Sequence, residues 1–278
     1  MAAGPIGPLC GTSSEPPPTW DHVVWIWFEN HGYDSIVGSG AAPFMNRTLI
    51  PRCGLATNYH SLAHPSLPNY IAATSGLALG ALGPLRNDCN ATGPCHTSAP
   101  SIFAQAPSWG AYEQSMGKPC THWFTGLYAA SHNPAVYYRG LTDCGTHDVN
   151  LRELAGALAT DTLPVFVFIT PNMCASMHSC SVGTGDAWLS HVVRRLTSSP
   201  AYQRGSMAIF VTFDESAADD SDDRVTTFVI SPSTRPHTQS GKWFDHYSLL
   251  RTTEEMLGID HLLGQAHQSP SMRAAFNL

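Results

Sequence analysis

Ser206-Met207-Ala208-Ile209-Phe210-Val211-Thr212-Phe213-Asp214-Glu215 is a nearly unbroken apolar run that stops on two carboxylates. β-Branched and aromatic residues without polar alternation fit a strand covered on both faces. A second stretch has the same form: His22-Val23-Val24-Trp25-Ile26-Trp27-Phe28 ends at Glu29-Asn30. Residues 162–170 supply a third run, leaving through Pro171-Asn172, and residues 225–230 a shorter fourth. Helical spacing lies between and after them, with Trp188, Leu189, Val192, Val193 and Leu196 in 186–196, and Leu249, Leu250, Met256 and Leu257 in 247–257. Strands alternating with helices predict an α/β fold with a largely parallel central sheet and helices on both faces. Such sheets gather their binding groups beyond the carboxyl ends of the strands. Glu29, Asn30, Asp214 and Glu215 are therefore expected to meet, although they are far apart in sequence.

Acidic side chains brought together repel unless a cation or a shared proton compensates them. Three carboxylates and an amide oxygen form a hard donor set, so one divalent cation is expected, with Ca, Mg or Mn favoured over Zn. Either pair taken alone would serve equally well as a strand or helix cap. The segment His64-Pro65-Ser66-Leu67-Pro68-Asn69-Tyr70 precedes an expected helix at 71–74. Its two prolines fix the backbone around Ser66, a serine that becomes nucleophilic once its proton is displaced by a bound metal. Ser66 thus joins the expected metal set, and Asn69 is a candidate donor to a phosphoryl oxygen. As a bare Pro-Ser-x-Pro pattern, the segment would read as an ordinary turn.

The whole chain constrains these ideas. Its 278 residues are 43% hydrophobic and 13% charged, which suits a single folded domain over 1–278 and excludes a disordered, charge-solvated chain. Residues 1–20 read as an extended lead-in, and 77–150 as a loop-rich region shaping the substrate pocket. With 14 Lys and Arg against 21 Asp and Glu, the net charge of −7 offers no field for a nucleic-acid backbone, so no nucleic acid is expected as partner. Eight cysteines occur without a Cys-x-x-Cys pair, which favours disulfides over zinc or redox sites. Pairing sequence neighbours is the most economical scheme: Cys10 with Cys53, Cys89 with Cys95, Cys120 with Cys144, and Cys174 with Cys180. Spacing alone does not choose among connectivities. Oxidised cysteines imply a secreted protein, and since residues 1–8 lack a signal peptide's basic start and apolar core, the chain reads as a mature form. No apolar run reaches membrane-spanning length, and a monomer is expected.

At this point the sequence resembles a known family, the bacterial and fungal phosphoesterases of the alkaline phosphatase superfamily, which include secreted acid phosphatases and phospholipases C. The likeness runs from about His22 to Ile259. It is carried by Glu29-Asn30-His31-Gly32-Tyr33-Asp34, Ala42-Pro43-Phe44, the Ser66 segment, Met177-His178, Gly185-Asp186-Ala187-Trp188-Leu189, Phe213-Asp214-Glu215 and His246-Tyr247-Ser248-Leu249-Leu250. The His-Pro-Ser, Met-His and Asp-Ala-Trp blocks also resemble the mycobacterial secreted acid phosphatases. The resemblance implies an alkaline phosphatase-like fold, Ser66 forming a phosphoserine, and Glu29, Asn30, Asp214 and Glu215 around the metal. It also implies site histidines at His178 and His132, for holding phosphoryl oxygens and protonating the leaving alcohol, followed by His64 and His246. A packing or helix-start role is the other reading of His246. Where relatives carry acidic residues around Met-His, this chain has Ala175-Ser176 and Ser179, which argues against acidic support there. The run Ser216-Ala217-Ala218-Asp219-Asp220-Ser221-Asp222-Asp223 reads as a solvated acidic loop, with surface calcium binding as the other possibility.

The expected function is hydrolysis of small phosphomonoesters, a phosphoinositide or other phospholipid head group among the possible substrates. A phospholipase C-type phosphodiesterase is the alternative. A non-catalytic, disulfide-stapled binding protein is the second.

Overall fold

The structure, a computed structural model, describes residues 9–217 and 222–278. Its strands are β1 (His22–Phe28), β2 (Gly54–Ala56), β3 (Tyr59–His60), β4 (Trp109–Glu113), β5 (Asp148–Asn150), β6 (Phe166–Thr170), β7 (Met207–Phe213), β8 (Thr227–Ile230), β9 (Thr238–Ser240) and β10 (Phe244–Asp245). Eight of them form one sheet in the order β5-β4-β6-β1-β7-β8-β2-β9, while β10 and β3 pair separately. Only β8 runs against its neighbours in the large sheet, so the expectation of a largely parallel sheet holds. The fully buried β1 and β7 sit side by side at its centre, registered from His22 with Met207 to Phe28 with Phe213. That register brings Glu29 and Asp214 out at the same level.

Side-chain alternation on β1 shows what covers each face. Trp27 packs on Tyr70, from the helix Ser66–Ser75, and on His246, from the helix His246–Met256. Phe28, pointing the other way, meets Trp188 of the helix Val182–Thr197 edge-on. Helices therefore cover both faces. Phe168 on β6 is fully buried among Trp25, Trp27, Tyr70 and Phe103. Phe168→Ala is expected to cost about 3–5 kcal/mol, because such a core closes only partly around a lost ring. A urea titration reads this as a lower midpoint at unchanged slope.

The region 77–150 departs from the sequence reading. It contains many loops, but it also supplies β4 and β5, which extend the sheet by parallel pairing onto β6. The helix after Pro65 is longer than expected, beginning at Ser66 itself. Proline is tolerated at Pro65 and Pro68 because the first helical N–H groups lack intrahelical acceptors anyway. This helix ends at Gly76 in the left-handed conformation, with φ +69° and its N–H bonded to the Ala72 carbonyl. The four disulfides pair sequence neighbours, Cys10–Cys53, Cys89–Cys95, Cys120–Cys144 and Cys174–Cys180. The first pins the amino-terminal lead-in beside β2. No helix among the described residues is long and apolar enough to cross a membrane.

Candidate active site

The ladder between β1 and β7 continues past the strands. Asp214 N–H donates to the Phe28 carbonyl at 3.0 Å and Glu29 N–H to the Ser176 carbonyl at 3.0 Å. The second bond seats the loop closed by Cys174–Cys180 on the end of β1. Asn30 turns the chain with φ +50°, a left-handed conformation asparagine tolerates, and its N–H meets Asp214 Oδ1 at 3.2 Å. Gly185 is required beneath this loop, since a Cβ there would lie 2.4 Å from the Met177 side chain. Its neighbour Asp186 has a structural role, its carboxylate accepting the Phe44 and Met45 N–H groups at 2.9 Å each.

Ser66 stands at the N-terminus of its helix, where unsatisfied N–H groups and the helix dipole favour an anion. Its Oγ donates to Glu29 Oε2 at 3.1 Å. The other Glu29 oxygen accepts from Tyr70 OH and lies 3.2 Å from His132 Nδ1. The Ser66 hydroxyl also acts on Asp214 and Glu215, in both cases favouring the ionised carboxylate. The residues expected to converge are thus brought together.

The carboxylates of this cluster oppose one another. Burial, then the charge of Asp214, pushes the Glu29 carboxyl well above its ordinary range. Burial lifts Asp214 to about 6, and burial followed by Asp214 lifts Glu215 to about 9. Asn30 Oδ1 and Asp214 Oδ2 are buried without a hydrogen-bond partner. Orphaned oxygens among mutually repelling carboxylates are what a hard divalent cation would satisfy, so the donor set fits one. A tighter group of potential ligands, Cys120, Cys144 and Asp148, brings its ligand atoms within 4.8 Å of one another. It fits no metal, because both sulfurs are joined in a disulfide and offer no thiolate.

The histidines divide. His132 is buried against Glu29, its ring stacked on Tyr70 and 6.0 Å from the His178 ring. Burial, then His178, pushes it down to about 3, so it is neutral over the ordinary pH range. His178 is exposed at the rim. His64 bonds Asp223 at 2.8 Å through Nε2, and its Nδ1 lies 2.9 Å from Glu215 Oε2, a buried oxygen without a hydrogen-bond partner. His246 requires a correction. Tyr59 OH lies 3.1 Å from its Nδ1, and its Nε2 bonds the Asp214 carbonyl at 2.7 Å, so neither ring nitrogen is left for a leaving group.

Asn69 requires a second correction. It is fully buried, its Oδ1 accepts the Leu62 and Ala63 N–H groups, and its Nδ2 donates to the Ala63 and Pro65 carbonyls. Both ends of the amide hold the turn before Ser66, leaving nothing for a phosphoryl oxygen. Of the acidic run 216–223, residues 218–221 lie outside the described residues, and neither of its last two aspartates is merely solvated. Asp222 pairs with Arg224 and Asp223 with His64.

Two residues at the site were missed by sequence reasoning. Tyr70 was part of a quoted motif but had no role assigned. Asp88 accepts the Leu67 N–H at 2.9 Å across the Ser66 helix start, and its charge partly offsets the desolvation that lowers the His178 pKa. It is open to solvent on one side, yet its surroundings desolvate it enough to raise its carboxyl. The only sequence signal was its place beside Cys89. A cavity of about 360 Å³, lined by Ala63, His64, Pro68, Leu79, Leu82 and Arg86, adjoins His64. A larger one, near Ser13 and Arg204, opens by the start of β7, away from this chemistry.

This sheet, with oxygen donors beyond its central strands, has the fold of the alkaline phosphatase superfamily. A protein of that superfamily from Vibrio parahaemolyticus superposes with a TM-score of 0.60 at 12% identity, over 96% of this chain and 75% of that one. The Phosphoesterase family model matches residues 40–260, and the chain belongs to that family, as the motifs led one to expect. A phosphate-repressible acid phosphatase of Penicillium chrysogenum is 27% identical over 258 residues, 87% of this chain and 60% of that protein. A phosphatidylinositol-3-phosphatase of Mycobacterium tuberculosis is 28% identical over 257 residues, 91% of this chain and 82% of that one. The chain thus spans about 60% of the length of the fungal relative.

Proposed function

We propose that this chain is a secreted phosphomonoesterase that works through a phosphoserine at Ser66, with one hard divalent cation held by Glu29, Asn30, Asp214 and Glu215 together with the Ser66 oxygen. The observation that carries this reading is Ser66 Oγ, at a helix N-terminus, bonded to Glu29 beside buried Asn30, Asp214 and Glu215 oxygens that have no hydrogen-bond partner. Family membership and the acid phosphatase relatives support the reaction class. The four disulfides suit an oxidising compartment.

When bound, the cation lowers the proton affinity of the seryl oxygen and neutralises phosphate charge. Ser66 Oγ forms the new bond to phosphorus while the ester oxygen leaves with its electron pair. The seryl proton is directed at Glu29 Oε2. His132, neutral, packs its Nδ1 edge 3.2 Å from Glu29 Oε1 and its ring on Tyr70, which bonds the same carboxylate. His178 delivers a proton to the departing alcohol; desolvation lowers its hold on that proton, and the charge of Asp88 offsets this in part. Water then cleaves the phosphoserine, releasing inorganic phosphate and the free hydroxyl. His64 stands 2.9 Å from Glu215, and His246 holds the Asp214 backbone.

Parallel assays with p-nitrophenyl phosphate and bis(p-nitrophenyl) phosphate, each with Ca, Mg and Mn, test the reading. The monoester is expected to show a kcat/KM at least about tenfold higher, a transition-state difference of about 1.4 kcal/mol. A preference for the diester would replace it with the phosphodiesterase reading. Turnover of neither substrate with any of the metals would leave a binding protein on this fold.

A further inference from the structure

Large hydrophobic side chains are seldom left half exposed in a cluster without a partner. Among the described residues the exposed large hydrophobics are Trp123, Phe124 and Leu127, at 55%, 47% and 46% exposure, and, apart from them, Trp243, which is stacked on His60. The first three share one turn. Thr125 and Tyr128 exchange backbone hydrogen bonds at 3.0 Å, and Gly126 takes the left-handed conformation at φ +59° that the reversal needs. The turn is built rigidly. Tyr128 OH donates to the Thr121 carbonyl at 2.6 Å, His122 Nδ1 donates to the Ala91 carbonyl at 2.9 Å, and Cys120 is tied to Cys144. Folding has therefore fixed these rings in water.

Both feet of the turn stand on segments that reach the candidate active site. Phe124 N–H bonds Asn90 Oδ1 at 3.0 Å, two residues from Asp88, which caps the Ser66 helix. The Leu127 carbonyl accepts the Met173 N–H at 2.9 Å, at the start of the loop that carries His178. The local charge is also unlike that of the chain. Between Asn90 and Gly140 the charged residues are exposed Lys118, exposed Arg139 and buried Glu113, in a protein whose net charge is −7.

We propose that the turn 122–128 is an interfacial anchor that docks this protein on a phospholipid surface and holds the Ser66 site over head groups still embedded in the bilayer. Trp, Phe and Leu at the tip suit the boundary between head groups and acyl chains. Between Asn90 and Gly140 the exposed charges are a lysine and an arginine, which favour anionic lipid, while exposed Asp88 and Asp143 flank the stretch on either side. The proposal rests on the phosphoesterase reading and names its substrate class, a phosphomonoester head group of a membrane lipid.

Sedimentation with vesicles tests the anchor separately from the chemistry. The full chain is incubated with phosphatidylcholine vesicles, with phosphatidylcholine/phosphatidylserine vesicles, and with either mixture carrying a phosphatidylinositol phosphate. Wild type is expected to sediment with vesicles even without the phosphoinositide, with a blue shift of tryptophan emission. The double variant Trp123→Ala/Phe124→Ala is expected to partition at least about tenfold less. Its turnover of soluble p-nitrophenyl phosphate is expected to match wild type, which also reports its folding, and Leu127→Ala alone serves as the milder second variant. Wild type remaining in the supernatant with every vesicle, or both variants sedimenting like wild type, overturns the anchor. Self-association of wild type that the double variant abolishes, without vesicle binding, also overturns it and assigns the turn to a second copy of the chain. Vesicle binding without turnover of any soluble ester leaves the anchor standing and removes the phosphoesterase reading.

Discussion

Ser66→Ala is expected to lower turnover of p-nitrophenyl phosphate by at least about a thousandfold while leaving the fold in place, because removing a nucleophile removes the whole covalent pathway. The structural cost is small. Ser66 Oγ donates to Glu29 Oε2 and sits close enough to Asp214 and Glu215 to favour their ionised forms, and losing a donor of this kind is worth about 1 kcal/mol. Glu29 keeps the Tyr70 hydroxyl on its other oxygen. Acid quenching during turnover is expected to trap a phosphorylated wild-type chain and an unlabelled variant, and the phosphorylated peptide is expected to contain Ser66. Undiminished turnover, or label on a different residue, would remove Ser66 as nucleophile. Ser61 and Ser75 are poor substitutes, since Ser75 Oγ is spent on the Ile71 carbonyl and Ser61 Oγ faces the Asp223 carbonyl.

What the sequence made legible follows from how local each signal is. β1 and β7 announce themselves because a strand buried on both faces must be apolar at every position, and the carboxylates that interrupt each run mark where it meets the site. β4, Trp109–Glu113, contains Gly110 and Ala111, and β5 is only Asp148–Asn150, so neither has a pattern of its own. Their strand character comes from pairing onto β6, which no local window contains. The site divides in the same way. Ser66 stands out through its prolines and the family motif, whereas Asp88 reaches Leu67 from 21 residues away by a bond no spacing rule predicts. The errors at Asn69 and His246 share one cause. A polar residue beside a nucleophile or at a helix start looks available in sequence, and only the fold shows that its hydrogen-bonding atoms are already committed to backbone carbonyls, N–H groups or Tyr59.

Asp214→Asn separates the cation from the fold by moving two stabilities in opposite directions. Asn keeps an oxygen for the Asn30 N–H and fits the same volume, so the β1–β7 exit retains its geometry. It removes one negative charge from beside Glu29 and Glu215, where like-charge repulsion opposes folding of the metal-free chain. The metal-free variant is therefore expected to melt above metal-free wild type. Cation affinity is expected to fall by at least about a hundredfold, since even groups outside the ligand shell cost about 10- to 100-fold when lost. The thermal upshift on adding the preferred ion should shrink accordingly, because ligand stabilisation follows the ratio of free ion to its dissociation constant. Titration calorimetry with Ca, Mg and Mn, paired with melting curves in chelator, reads both effects without any turnover assay. Equal affinity in variant and wild type would take Asp214 out of the ligand set. A lower melting point in chelator would mean that the carboxylate is a structural hydrogen-bonding group whose charge the fold tolerates without a cation.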